Sequence, residues 1–386
     1  MERALRCQDA PGDKIAPPPG PAAGILASPV AGIMLKDWAK GGVMQRLADI
    51  GRAIAGAMIG AVLPAGVPAA AALCPYGIDL RQVMAPEDLR AMAARAKAAP
   101  FPVGNFWRAT RGDLELHLIG TMHLDDPRHD DLADFARPLI EVADIFFLET
   151  TRSGMEATQA FMNANPAETY IQDGPTMREL LDPEEWQRYA AAMEAIDVPP
   201  FMAALFQPWL AYSTLTLTPC ILDAGLHAFI GLDERLHGIA WAADVEIASL
   251  EDPPLIHDLF DRLGPERGLT LLRKIILQAP DLEDIHTTTA NAYFSGDHRF
   301  VWEFSTTFIA AQSRDRIDPE ALEDAVAGFE DWILAERNRG WVTLLKALPD
   351  GTRAVVAVGA AHLSGHDGVL DLLDRGGFAL ERLNGP

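Results

Sequence analysis

Two histidines in this 386-residue chain arrive by the same device. In Leu118-Ile119-Gly120-Thr121-Met122-His123, an apolar run over Leu114–Ile119 reads as a β-strand that breaks at Gly120 and delivers His123 just beyond. Ala354–Val358 is a second such run, Gly359 breaks it, and His362 follows at the same Gly-x-x-His spacing. A third apolar run, Ile145–Leu148, ends directly on Glu149. Two imidazoles and a carboxylate, with a position left for water, are the donor types of a catalytic divalent-metal site. A metal there lowers the pKa of its water and polarises a carbonyl. Glu149 is either the third ligand or a general base, and both roles stay open. Glycine after a strand, lacking Cβ, permits a tight turn that folds the histidine over the sheet edge.

Neighbouring residues have roles to fill around that trio. Asp125 or Asp126, close after His123, is placed to orient it or to cap the following helix. Asp233 in Gly231-Leu232-Asp233 adds an acid to the pocket or caps a helix, and Glu251, also after a strand, is a candidate fourth carboxylate. Arg337 and Asn338 lie on a helix before the last core strand, where they can bind a substrate carboxylate or an oxyanion, or lie on a solvated face. His117, His129, His227, His237, His257, His286, His298 and His366 lack comparable placement. Ser364 does not sit in a nucleophile-elbow context, which argues against serine-hydrolase chemistry.

The elements that must position these residues alternate strand and helix. Phe106-Trp107-Arg108 reads as an edge strand that turns through Arg111-Gly112-Asp113 into Leu114–Ile119. Asp130–Ala143 has helical apolar spacing and returns the chain to Ile145–Leu148, a βαβ-sized unit with parallel strands. Helical pattern covers Ala85–Ala99, Thr151–Tyr212, Ile230–Ala243, Pro254–Leu277 and Phe300–Leu348; Val245–Leu250 is a strand ending on Glu251. Val369–Asp374 is a helix stopped by Gly376-Gly377, and Phe378–Leu383 closes the fold as a strand. The fold class is α/β: a mixed, mostly parallel sheet with flanking helices and a helical insertion over its carboxyl edge, where open parallel sheets bind ligands.

Composition narrows the partners. Hydrophobic content of 49% can bury a large core, and a formal charge of −23 argues against nucleic acid or anionic lipid, which need clustered Lys and Arg. Residues 1–43, rich in Pro, Gly and Ala, read as a disordered lead or as sequence upstream of a true start at Met34 or Met44. Basic residues through Arg52, the uncharged stretch Ala53–Leu73 and its closing alanines give residues 44–73 the pattern of a secretory signal. The apolar centre, Ile54–Val67, is short for a membrane span. The expected mature protein is therefore one domain over residues 74–386, periplasmic or secreted, without a stable membrane span. Cleavage leaves Cys74 and Cys220, an even pair in an oxidising compartment, so a Cys74–Cys220 disulfide is expected.

Taken together, Ile119-Gly120-Thr121-Met122-His123-Leu124 with Asp126-Pro127-Arg128, Phe147-Leu148-Glu149, Gly231-Leu232-Asp233, Arg337-Asn338, and Val358-Gly359-Ala360-Ala361-His362-Leu363 with Gly368-Val369-Leu370 resemble the TraB/GumN family over about Cys74–Leu383. That family is similar in fold to the erythromycin-esterase and ChaN-like proteins. Its animal members, the Tiki proteins, are membrane-associated proteases dependent on manganese or cobalt; other members are linked to inhibiting a peptide pheromone, and ChaN-like relatives bind haem. The resemblance implies His123, Glu149 and His362 as the site, with Arg337 and Asn338 nearby. It implies an exported hydrolase, peptidase-like, using Mn, Co or Zn on a peptide or small-molecule substrate. A non-catalytic haem- or peptide-binding protein and a small-molecule esterase are the alternatives.

Overall fold

A computed structural model describes residues 77–224, 230–251, 262–313 and 316–386. The expected lead, signal sequence and Cys74 lie outside the described residues, and with Cys74 the proposed Cys74–Cys220 pair.

Six strands form one mixed sheet in the order β4-β3-β5-β2-β1-β6. They are β1 (Phe106–Arg111), β2 (Leu114–Thr121), β3 (Ile145–Leu148), β4 (Glu246–Ser249), β5 (Arg353–Gly359) and β6 (Ala379–Arg382). β4, β3, β5 and β2 are parallel; β1 runs antiparallel to both β2 and β6. Twelve helices are labelled here: α1 (Pro86–Ala98), α2 (His129–Ile140), α3 (Arg152–Ala164), α4 (Pro183–Ala195), α5 (Pro208–Leu215), α6 (Leu232–Ala242), α7 (Pro265–Gln278), α8 (Leu282–Phe294), α9 (His298–Ser313), α10 (Pro319–Glu330), α11 (Arg337–Lys346) and α12 (Val369–Arg375). The chain is α/β, as its strand–helix alternation predicts.

β3, the body of β5 and the second half of β2 are apolar because both sheet faces are covered there, while the first half of β2 alternates through half-buried Glu115 and His117. On one face Leu116, Leu118, Val356 and Val358 pack against Trp341 and Leu345 of α11 and Leu370 and Leu373 of α12. On the other, Ile119, Phe146, Val355 and Ala357 meet Ala136 and Ile140 of α2 and Leu236 and Ala240 of α6. The β1–β2 turn uses Gly112 at φ +60°, a left-handed conformation that glycine takes without a Cβ clash.

Three details differ from the linear reading. β1 is interior, because β6 returns to cover it; Trp107 pairs with Leu118 on one side and Arg382 on the other. β2 and β3 are parallel but not neighbours, since β5, more than 200 residues downstream, inserts between them. The strands also run through their glycines: Gly120 and Thr121 pair with Val358 and Gly359. Gly359 has φ −50° and ψ 134°, which any residue can adopt, so these glycines are not there for a special backbone turn.

The helical insertion divides in two. Residues of α4, α5 and α7 close around a core of their own, with Tyr189, Met193, Ala211 and Leu272 fully buried. The helices above the carboxyl edge come later in the chain, from α8 to α11. Among the described residues, no helix is long and apolar enough to cross a membrane.

Candidate active site

β2, β5 and β3 end side by side, so the residues that follow them meet although they are far apart in sequence. A Cβ built on Gly359 would lie 3.3 Å from Glu149 Oε1, 3.6 Å from His123 Nε2 and 3.6 Å from His362 Cδ2. His362 Nε2 is 3.7 Å from Glu149 Oε1. The three residues drawn from the sequence thus surround one spot above the β5 terminus, with Glu149 and His362 buried and His123 27% exposed at its side chain.

Each imidazole is held from behind. His123 Nδ1 lies 2.9 Å from Asp233 Oδ2, and the Thr121 hydroxyl donates to the other oxygen of the same carboxylate. Asp233 is in the first turn of α6, whose start is tied to the motif because Leu232 N–H donates to Met122 O at 3.0 Å. A Cβ on Gly231 would come within 2.2 Å of Met122 O, so only glycine allows this approach. His362 Nδ1 is 2.7 Å from Asn338 Oδ1, and the Asn338 amide donates to Asp367 O at 2.9 Å. The Nδ1–H bonds turn Nε2 of each ring toward the pocket floor, where that of His362 meets Arg337; a second shell of this kind orients ligating or catalytic histidines.

Arg337 crosses the floor and all five of its N–H groups have acceptors. Nε donates to Glu251 at 2.9 Å, Nη2 to Glu149 at 2.6 Å and Glu251 at 2.8 Å, and Nη1 to Ile333 O at 3.3 Å and His362 Nε2 at 3.2 Å. Glu149 uses its other oxygen to accept from Gly359 N–H at 2.7 Å. Arg337 begins α11 directly after a π-helical turn, Asp331–Glu336, of the kind that recurs at functional sites.

The electrostatics divide the trio. Burial resists the charge on His123, but the Asp233 carboxylate, in charge and hydrogen bond, and Glu149 outweigh it and lift the pKa to about 9. Burial keeps His362 neutral, with the Arg337 and His123 charges opposing Glu149, and its pKa falls to about 3. Burial would raise Glu149, yet Arg337, His362 and His123 pull it down to about 2.

Several sequence-based roles change. Asp125 pairs with Arg235 and Asp126 with Arg128, so neither orients His123; Asp233 does. Glu251 is not turned to the trio: it grips Arg337 and accepts from Trp341 Nε1 at 3.2 Å. Asn338 is 1% exposed and spends its amide on His362 and Asp367. Tyr293 and His298, absent from the sequence-based set, line the pocket; Tyr293 donates from its hydroxyl to Gly120 O at 2.9 Å. Their one signal is an acid-rich helix that turns at Gly296, which gives no pointer to a sheet edge 170 residues upstream.

The trio forms the floor of a cavity of about 360 Å³. Its walls come from α8, α9, α10 and the π-turn, and none of its described lining comes from Thr151–Tyr212. The donor types and the outward Nε2 atoms suit a divalent cation. Among the described residues, no group of three or more His, Cys, Asp and Glu is drawn tightly enough to constitute a ready-made metal centre. Arg337 Nη1 stands 3.2 Å from His362 Nε2, the atom an ion would have to share.

Compared with known families, residues 105–382 match the model of the TraB/PrgY/gumN family. No curated protein sequence matches the chain.

Proposed function

From the chain's membership of the TraB/PrgY/gumN family, we propose that it is a metal-dependent hydrolase, peptidase-like, that acts outside the cytoplasm. The observation that carries the reading is the convergence above Gly359, where His123 Nε2, Glu149 Oε1 and the His362 ring face one space from three strand ends. His123, His362 and Glu149 would hold the ion, which is Mn, Co or Zn. When bound, the ion supplies an activated water and polarises the carbonyl to be attacked.

The rest of the chemistry belongs to the chain. Asp233 and Asn338 fix the two rings with Nε2 inward. Arg337 and the Gly359 N–H hold both Glu149 oxygens, and a carboxylate so tied is a poor proton acceptor, which favours the ligand role over the general base. The proton that Asp233 keeps on His123 leaves when a cation takes its place, so metal uptake weakens as pH falls. The apolar walls exclude water from the reacting bond. Export is supported by the signal-like pattern of residues 44–73.

The test is metal content. Protein purified, stripped with chelator and dialysed against Mn, Co or Zn should retain one ion per chain. His123→Ala and His362→Ala should lose it while circular dichroism stays unchanged. Glu149→Gln should lose it too; a Glu149→Gln protein that keeps metal without turnover assigns the general-base role instead. Wild type that retains no stoichiometric ion, or both histidine variants retaining it, overturns the reading.

A further inference from the structure

The cavity over the trio says what kind of group lies beside the bond that is broken, and the inference rests on the hydrolase reading above. Its walls are Met122, Tyr293, Val301, Trp302, Phe329 and Trp332, large apolar side chains from five segments. The volume, about 360 Å³, is at the lower end of the ~300–1,000 Å³ usual for ligand pockets, which suits one side chain and its backbone.

The polar groups on the floor are already spent. Arg337, the one arginine or lysine among the described residues lining the cavity, has five N–H groups and five acceptors. Redirecting the N–H groups that hold Glu149, Glu251 and Ile333 O to a substrate anion would weaken the pairing of a buried carboxylate or carbonyl, at a cost of about 1–3 kcal/mol. His123 is paired with Asp233. His298 is 2% exposed and sits between Phe101 O and Asn105 Oδ1, each 3.3 Å away.

Trp302 is also a wall of a second cavity, of about 460 Å³, whose described lining carries Glu303, Glu323 and Glu330. The one base in that lining, Arg299, donates to Glu303 at 2.8 Å and lies 3.6 Å from Glu330. Among the described residues, the walls of the first cavity carry no charged side chain and the second cavity carries net negative charge, so an acidic side chain against those walls is desolvated with no counter-charge beside it.

We infer that the site accepts an uncharged stretch of peptide with a large apolar side chain next to the scissile bond, and that it discriminates against a carboxylate at that position, whether an acidic side chain or a free chain terminus. The specificity residues are Val301, Trp302 and Phe329, with Thr289 beside them on α8.

The experiment measures binding apart from turnover. Chelator-treated full-length protein is titrated by calorimetry with four synthetic peptides: acetylated and amidated Ala-Ala-X-Ala-Ala with X as Phe, Ala or Asp, and acetylated Ala-Ala-Phe with a free carboxylate. The blocked Phe peptide should bind on the order of tenfold or more tighter than the Ala peptide, given what a single methylene is worth in an apolar pocket. The Asp and free-carboxylate peptides should bind more weakly than the Ala peptide. Thr289→Trp, which fills the cavity, should erase the Phe preference, and Val301→Trp repeats the test if that variant fails to fold. Equal binding of the Phe and Asp peptides, or a Phe preference that survives both fillings, overturns the inference. If the selectivity holds but the metal-loaded protein cleaves none of the peptides, the hydrolase reading fails and the pocket assignment stands.

Discussion

The two Gly-x-x-His segments have the same spacing and end adjacent parallel strands, yet they are wired differently. His123 leans on a carboxylate, Asp233, and keeps a proton up to about pH 9; His362 leans on an amide, Asn338, and stays neutral down to about pH 3. The glycines differ as well. A Cβ on Gly120 would meet Leu363 Cδ1 at 2.8 Å and Ala360 Cα at 3.1 Å, so Gly120 lets the two segments pack together. A Cβ on Gly359 would project among the site residues, so Gly359 keeps their meeting place empty. Spacing places a histidine at a sheet edge; the partner behind it sets its charge.

The largest expected effect comes from the cation the two halves share. Arg337→Met leaves Glu149 and Glu251 buried without a counter-charge, and removing one partner of such a group costs about 3–5 kcal/mol. Urea unfolding of the purified variant measures it. A loss under 1 kcal/mol would mean that water reaches these carboxylates and that the two segments are not electrostatically joined.

Next come the glycines, which should separate stability from function. Gly120→Ala forces Ala360 and Leu363 apart and should cost about 1–3 kcal/mol. Gly359→Ala, in a backbone conformation alanine accepts, should leave stability unchanged or raise it by about 0.4–1 kcal/mol. Its methyl, 3.3 Å from Glu149 Oε1, should nonetheless weaken metal retention in the dialysis assay. Identical behaviour of the two variants in both assays would erase the distinction drawn here.

The pH dependence, read on chelator-treated protein, separates the two histidines directly. His123 has a folded pKa raised from 6.5 to about 9, so its pairing stabilises fully below pH 6.5 and is lost as pH rises through about 9. His362 has a folded pKa lowered from 6.5 to about 3, so its contribution is present above pH 6.5 and is lost as pH falls toward 3. Asp233→Asn should flatten the alkaline limb of the stability curve and, because the Asp233 carboxyl, which burial would raise, is itself held below its ordinary pKa by His123 and Thr121, remove its own share of the acid limb while leaving that of His362. Asn338→Asp should raise the His362 pKa and soften the acid limb. Imidazole proton shifts followed by NMR report the two titrations directly; overlapping curves for the two rings would contradict the assignment.

Strands β3 and β5 were legible because parallel strands buried on both faces must be apolar, β2 because its apolar residues alternate and then run on through Leu118-Ile119, and Glu149 stood out as the charge that ends such a run. The pairing of Asp233 with His123 and of Asn338 with His362 was not legible. Those partners lie 110 and 24 residues away, on helices whose rotation about the sheet has no local signature. Asp125 and Asp126 were the nearer acids to His123 in sequence, and proximity along the chain misled, since Arg235 of α6 and Arg128 hold them instead.

By itself the sequence determined the α/β class and the strands at whose ends His123, Glu149 and His362 stand, because strand burial and strand ends are written in local apolar runs. Tertiary structure alone decided that β5 separates β2 from β3, that β6 covers β1, and that α8 to α10 are the helices that roof the floor. It also decided the protonation of each histidine. Order in a sheet, and the charge behind an imidazole, arise from contacts between residues tens to hundreds of positions apart, and such contacts are selected by packing and desolvation of the whole core.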